Sequence, residues 1–192
     1  MIDVHQQGRD YERNATNINP GGWLISRDWP IATLLGSCVA VCLYDPRLRL
    51  MGMNHFLLPT ITQGNHADTD VVLNGDYAME VLVNGMLNQG AHKERLVAKA
   101  FGGGNIVSAI RMAIGDRNAN FAREWLEREG IPLVAADLGG PWSRKVVCIP
   151  ATGDAFSRRI AATQQETLNT VQAEAEYEKN LLRPQTKRVE LF

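Results

Sequence analysis

The chain has 192 residues, 45% of them hydrophobic and 21% charged, with 20 basic against 21 acidic side chains and a formal net charge of −1. That length supports a sizeable core, and so even a charge balance excludes the basic footprint of a nucleic-acid binder. No apolar run approaches the ~18 residues of a membrane span, so no membrane insertion is expected; three cysteines make no disulfide framework, and a reducing cytoplasm is the natural setting.

Residues 1–20 (MIDVHQQGRDYERNATNINP) are polar, lack the hydrophobic stretch of a signal peptide and end in Asn-Pro, so they read as a flexible arm. Residues 21–160 hold the alternating apolar segments of one domain, and 161–192 read as a helical extension and tail. Leu34–Tyr44, rich in Val, Leu and Cys, reads as a buried strand, and Arg49–Leu58 as a second strand ended by Pro59. A polar connection follows over 60–75. Asp76 is placed to cap a helix over Tyr77–Gln89, which Gly90 ends. Arg95–Phe101 reads as a third strand, then a Gly102-Gly103-Gly104 turn and a helix over Asn105–Ala113. A helix over Asn118–Glu129 and strands at Leu133–Asp137 and Lys145–Ile149 complete the domain, and a polar helix runs from Ile160 to about Leu182. Strands interleaved with helices and no internal repeat predict an α/β or α+β fold.

One stretch, TLLGSCVAVCLYDP from Thr33 to Pro46, carries two of the three cysteines. Asp45-Pro46 opens a type I turn. A hairpin with its loop over Asp45–Leu48 pairs Tyr44 with Arg49 and sets Cys38 opposite His55, where directly opposed Cβ atoms lie ~4.5–5.5 Å apart. A bulge at Gly52 would shift that register. A histidine in reach of a thiol takes its proton or stabilises the thiolate, and such a pair attacks carbonyl carbon. Gly36-Ser37 just before the cysteine leaves the backbone free to aim amide N–H groups at a developing oxyanion. The plainer reading is that a cysteine in an apolar strand is a small buried hydrophobe. Cys42, roughly 13 Å along the strand, and Cys148 take that reading. No C-x-x-C or H-E-x-x-H spacing points to a metal, and Phe101-Gly102-Gly103-Gly104-Asn105 reads as a tight strand-to-helix turn rather than an anion cradle.

LLGSCVAVCLYDP followed by GMNHFLLP resembles the signature of CheD, the chemoreceptor glutamine deamidase family of bacterial chemotaxis. The resemblance continues through GDYAMEVLVNGMLNQGA, KAFGGGNI, IGDRNANFAREWLEREGIPLVAADLGG and RKVVCIPATG, and covers Ile25 to Ile160. It implies an α/β (α+β) sandwich, with mixed, largely antiparallel sheets packed against helices, and hydrolysis of glutamine side chains on methyl-accepting chemoreceptor helices, giving glutamate and ammonia, without cofactor or metal. A CheC-type phosphatase is implied as a further partner in some species. The family's cysteine falls on Cys38 and its histidine on His55. Its threonine stands six positions before the cysteine, where this chain has Ala32, with Thr33 one step later. On a regular strand that step turns Thr33 to the other face, whereas a bulge permitted by Gly36 returns it to the catalytic face. The rival reading is a non-catalytic adaptor for receptor helices or the phosphatase. A deamidase needs Cys38 accessible and of low pKa; an adaptor does not.

Overall fold

The computed structural model describes residues 4–58, 67–106 and 108–182. In chain order they form α1 (Val4–Arg13), β1 (Thr16–Asn17), β2 (Trp23–Ser26), β3 (Ile31–Leu35), β4 (Val39–Asp45), β5 (Leu50–Asn54), α2 (Ala67–Asn88), β6 (Val97–Gly102), α3 (Ser108–Arg128), β7 (Leu133–Leu138), β8 (Trp142–Cys148), β9 (Ala155–Ala161) and α4 (Gln165–Leu181). The strands make two sheets, β1-β3-β8-β9 and β2-β5-β4-β6-β7. Pairing is parallel for β1 with β3 and for β6 with β7, and antiparallel elsewhere. This is the mixed α+β arrangement expected from the sequence.

The alternation of side chains along β4 explains the layering. Val39, Val41 and Leu43 pack with Met79, Leu82 and Met86 of α2 and with Ala122, Trp125 and Leu126 of α3. Ala40 and Cys42 face the other way, with Met51 and Met53 of β5, Ile31 and Leu35 of β3, and Val146 and Cys148 of β8. One core therefore lies between the sheets and a second between the larger sheet and its helices. A strand buried on both faces carries no polar alternation, which is why β4 reads as a continuous apolar run.

Several segments differ from the sequence expectation. The apolar run Leu34–Tyr44 is divided: β3 pairs with β8 in one sheet and β4 with β5 and β6 in the other. The polar arm contains α1, which lies against the smaller sheet with Tyr11 stacked on Phe156 at 6.1 Å between centroids. Part of the expected 60–75 connection, up to residue 66, lies outside the described residues; from Ala67 the chain is already α2, and Asp76 sits inside that helix, paired with Arg128 at 2.8 Å. The two helices expected at Asn105–Ala113 and Asn118–Glu129 are one, α3. Strand β9 has no counterpart in the sequence reading; its burial is confined to few positions, so no alternation marks it.

Candidate functional site

The chain crosses from one sheet to the other through Gly36, Ser37 and Cys38. All three carbonyls of this crossing are held from behind. Gly104 N–H donates to Gly36 O, the Asn118 Nδ2 amide to Ser37 O, and Gly103 N–H to Cys38 O, each at 2.8 Å. Asn118 is itself fixed by accepting the Leu58 N–H at 2.9 Å. The glycine turn after β6 therefore buttresses this crossing, in line with the tight-turn reading. Gly102 has φ +108°, and a Cβ there would overlap Cys38 O, so only glycine lets the two segments meet.

With its carbonyls tied back, the crossing aims three successive amides to one side. They converge on the carboxylate of Glu174 from α4. Gly36 N–H donates to Oε1 at 2.7 Å, Ser37 N–H to Oε2 at 2.8 Å and Cys38 N–H to Oε1 at 3.2 Å; the Ser37 hydroxyl donates to Oε2 at 2.9 Å. Such a concave run of N–H groups is an anion site. A Cβ at Gly36 would stand 2.7 Å from Glu174 Oε2, so a larger residue there would push the carboxylate from its present place.

Cys38 and His55 meet, but not through the expected pairing. The ladder sets Asp45 opposite Leu50, Cys42 opposite Met53 and Val39 opposite Phe56. In that register Cys38 would oppose Leu57, two residues beyond His55. A shift of two preserves the face of every side chain, and a diagonal neighbour stays in reach. The Cys38 thiol, a His55 ring nitrogen and a Glu174 oxygen lie within 4.8 Å of one another, all buried.

Thr33 joins them. Its Oγ1 is 2.8 Å from His55 Nδ1 and donates to Ile18 O at 2.8 Å. A hydroxyl has one hydrogen; with it given to Ile18, Oγ1 accepts from Nδ1–H. The proton of the neutral ring is therefore on Nδ1, and Nε2 keeps its lone pair. Nε2 has no hydrogen-bond partner and lies 3.9 Å from Glu174 Oε1. Neither a bulge nor a regular strand accounts for Thr33: it shares the inter-sheet face of β3 with Ile31 and Leu35, and face parity does not carry from β3 to Cys38 because the chain changes sheet between them. Ala32 is buried on the opposite face.

Electrostatically the centre is at rest. Burial, first, and then the negative charge and hydrogen bond of Glu174 push the Cys38 thiol well above its ordinary value. Burial also lowers His55 to about 3. The pair is a neutral thiol and a neutral imidazole, not the exposed, low-pKa cysteine expected of a working deamidase. Among the described residues, Cys38, His55 and Glu174 are also the group with donor spacing for a metal ion. Both carboxylate oxygens, however, already face N–H or O–H donors, whose positive ends suit an anion and not a cation. Cys42 and Cys148 lie in the inter-sheet core.

Glu174 and Asn118 were not anticipated. The inward face of α4 shows Thr167, Thr170 and Glu174 in place of an apolar stripe, so periodicity had nothing to find. The spacing of three and four between them was the available signal.

The family model for CheD chemotactic sensory transduction matches residues 57–159. A "Probable chemoreceptor glutamine deamidase CheD 2" of Dechloromonas aromatica is 52% identical over 189 residues, covering 96% of each chain. The chain belongs to the CheD family. Relatives of the same description from Burkholderia thailandensis (43% identical, 96% of each chain) and Shewanella oneidensis (CheD 1, 44% identical, 96% of this chain and 90% of that one) also match over nearly their whole length. Among solved structures, Bacillus licheniformis hypothetical protein YfiH aligns at 16% identity and a TM-score of 0.37 over 60% of this chain and 49% of that one, too loosely to carry an argument. No helix among the described residues is long and apolar enough to cross a membrane.

Proposed function

We propose that this CheD-family protein is a cysteine-dependent protein-glutamine deamidase, converting glutamine side chains on the cytoplasmic helices of methyl-accepting chemoreceptors to glutamate and ammonia. The observation that carries the reading is the set of three amides, Gly36 to Cys38, converging on a carboxylate oxygen pair beside a thiol and an imidazole with a free Nε2. Near-full-length relatives named chemoreceptor glutamine deamidases support the substrate class. A cytoplasmic setting follows from that substrate, and a CheC-type phosphatase as second partner rests on the family resemblance alone.

The chemistry draws on the side chains of Cys38, His55 and Thr33, three backbone amides and a water molecule. His55 Nε2 takes the Cys38 proton, and the sulfur attacks the amide carbon of the bound glutamine. The carbonyl oxygen gains negative charge and is met by the amides of Gly36, Ser37 and Cys38, which are in place before reaction and need no reorganisation. His55 then gives its proton to the nitrogen, ammonia leaves, and a thioester remains. Water, deprotonated at Nε2, attacks the thioester; glutamate departs and the thiol is restored. Thr33 holds Nδ1–H throughout, which keeps Nε2 as the basic nitrogen and stabilises the imidazolium when it forms.

The test is mass spectrometry of a receptor cytoplasmic fragment incubated with the wild type and with Cys38→Ala. Glutamine-to-glutamate conversion by the wild type alone is expected. Conversion by the folded Cys38→Ala variant at the wild-type rate removes the mechanism, and fragment cleavage in place of deamidation removes the reaction class.

A further inference from the structure

The carboxylate in the site is the protein's own. Glu174 accepts three backbone N–H bonds and one hydroxyl bond, and Cys38 and His55 are sealed beneath it, 0% and 1% exposed. A glutamate side chain presented from a helix is also what a deamidase leaves behind after acting on a helix-borne glutamine. Resting on the deamidase reading above, we propose that α4 occupies the seat of the substrate helix, with Glu174 held where the product glutamate would be. The protein is closed by its own C-terminal helix until a target helix displaces it.

The way α4 is attached supports displacement. Of its 17 residues only Thr167, Thr170 and Glu174 are buried, and Leu168 is 51% exposed. Thr170 bonds within its own helix to Glu166 O, whereas Thr167 meets Ser143 Oγ at 2.5 Å and Ala161 O at 2.9 Å. Tyr177 is packed on the inter-sheet core. Little apolar area holds the helix down; its anchor is the carboxylate in the amide nest. Helices with few buried apolar contacts open at low free energy. A glutamate serving only to satisfy three amides would be an unusual choice beside a cysteine, because its charge raises the thiol it touches.

The seat also states what a target must look like. The small buried side chains lie seven and four positions before Glu174, on one helical face. A receptor helix that fits therefore presents glutamine with short side chains at those two positions. Oε1, the oxygen beside His55 Nε2, accepts from Gly36 and Cys38 N–H; a glutamine in this seat gives its single carbonyl oxygen to those two amides, and its nitrogen, which cannot accept, turns away from the Ser37 N–H that Oε2 holds here.

Glu174→Gln in the full chain turns the plug into a substrate. Expected is conversion of the introduced glutamine to glutamate in cis, read as the amide-to-acid mass change on the peptide that contains it, and blocked by Cys38→Ala. Glu174→Ala should leave the helix unanchored and Cys38 both uncovered and freed of the neighbouring charge, so iodoacetamide should alkylate it clearly faster than wild type. Folding of each variant is checked by its melting curve, and Glu174→Gln keeps the shape if the alanine variant does not fold. A folded Glu174→Gln chain that deamidates a receptor fragment but keeps its own introduced side chain as the amide overturns the proposal while the function stands. Unchanged alkylation of a folded Glu174→Ala chain overturns it too. Faster alkylation with neither the introduced glutamine nor the receptor fragment converted upholds α4 as a plug on Cys38 and overturns the deamidase reading.

Discussion

Replacing Thr33 by valine keeps the branched shape at a fully packed position and removes one oxygen. That oxygen has two bonds, accepting from His55 Nδ1–H and donating to Ile18 O, each at 2.8 Å. Both partners are left without it, in a site where Thr33 and His55 are 1% exposed. A buried polar group stripped of its partner loses ~1–3 kcal/mol. Stability should therefore fall by about 2 kcal/mol, and the loss has a consequence for the ring. With no acceptor at Nδ1, the neutral imidazole gains by moving its proton to Nε2, where Glu174 Oε1 stands 3.9 Å away. That tautomer cannot accept the thiol proton. If the bond to Thr33 was worth ~1.5–3 kcal/mol in holding the reactive form, turnover falls by roughly one to two decades. Mispositioned bases in such constellations lose more, up to about 10⁴-fold. The assay is steady-state deamidation of a receptor fragment, run beside Cys38 alkylation and a urea melt. We expect kcat to drop by at least about tenfold with KM little changed, and alkylation to remain detectable. Full activity in Thr33→Val, at an unchanged pH profile, would refute the assignment of the tautomer and of the positioning role together.

Cys42→Ala should keep deamidase activity and lose about 1 kcal/mol of stability from poorer inter-sheet packing; a folded but inactive variant would mean that the wrong cysteine has been taken as nucleophile. Asp45 is fully buried and its carboxyl is lowered: burial alone would raise it, but hydrogen bonds from Arg95 and the amides of His92, Arg47 and Leu48 outweigh that. Arg95→Ala leaves that carboxylate with amides only, so urea denaturation should show a loss of about 2 kcal/mol, and no loss would place the ion pair among the inert ones. Acid lability should come in two stages. His55 binds its proton near 6.5 when unfolded and near 3 when folded, so stability falls as pH drops below about 6.5, by up to about 1.4 kcal/mol per unit. Asp45 and Asp137 have lowered carboxyls, Asp137 because Arg144, Arg159 and Ser157 overcome its burial; their contribution is complete above about 4 and is lost as pH falls further. His55→Gln should flatten the first stage and Asp137→Asn should reduce the second, leaving the part due to Asp45, measured as urea midpoints across the range from neutral pH to about 3.

Cys38 and His55 are brought together from the sequence by a register that is wrong by two. The pairing survives because the error is even: a strand returns each side chain to the same face every second residue, so His55 stays on the face of Cys38. The misjudged loop has a local cause. The turn runs Pro46 to Arg49, with Arg49 at φ +50°, so Asp45 pairs with Leu50. Its carboxylate also caps Arg47 N–H at 3.0 Å, and counting from Asp45-Pro46 gives no hint of where the loop ends. The Thr33 problem is of another kind. Face parity does not run from Cys38 back to position 33, because Leu35 and Val39 belong to different sheets. Gly36-Ser37, whose small side chains free the backbone to aim the amides, also marks the crossing. The glutamate in the site left no trace in hydrophobic pattern, because the face of α4 that it shares with Thr167 and Thr170 is polar. Burial there is decided by N–H donors far back in the chain, at Gly36, Ser37 and Cys38, and no local rule reaches that far.

The resting chemistry of the site and the weakness of the α4 anchor depend on each other. As long as Glu174 sits in the nest, its charge and the exclusion of water act on Cys38 in the same direction, and water exclusion keeps His55 neutral. Removing the carboxylate takes away one cause outright and, by admitting solvent or a neutral amide, part of the other. Thiol and imidazole then move toward the ion pair from opposite sides. A tethered plug competes at an effective concentration of order millimolar, and a target meets only the open fraction, so a plug closed ~99% of the time weakens apparent affinity by about a hundredfold. That is about 2.8 kcal/mol by the same logarithm, comparable to one or two charge-assisted hydrogen bonds in water. Four such bonds hold Glu174, offset by the entropy of ordering a helix whose remaining surface is mostly exposed. A carboxylate anchor of that strength is firm enough to keep the thiol unreactive toward stray electrophiles and oxidants, yet weak enough for a well-fitting helix to replace it.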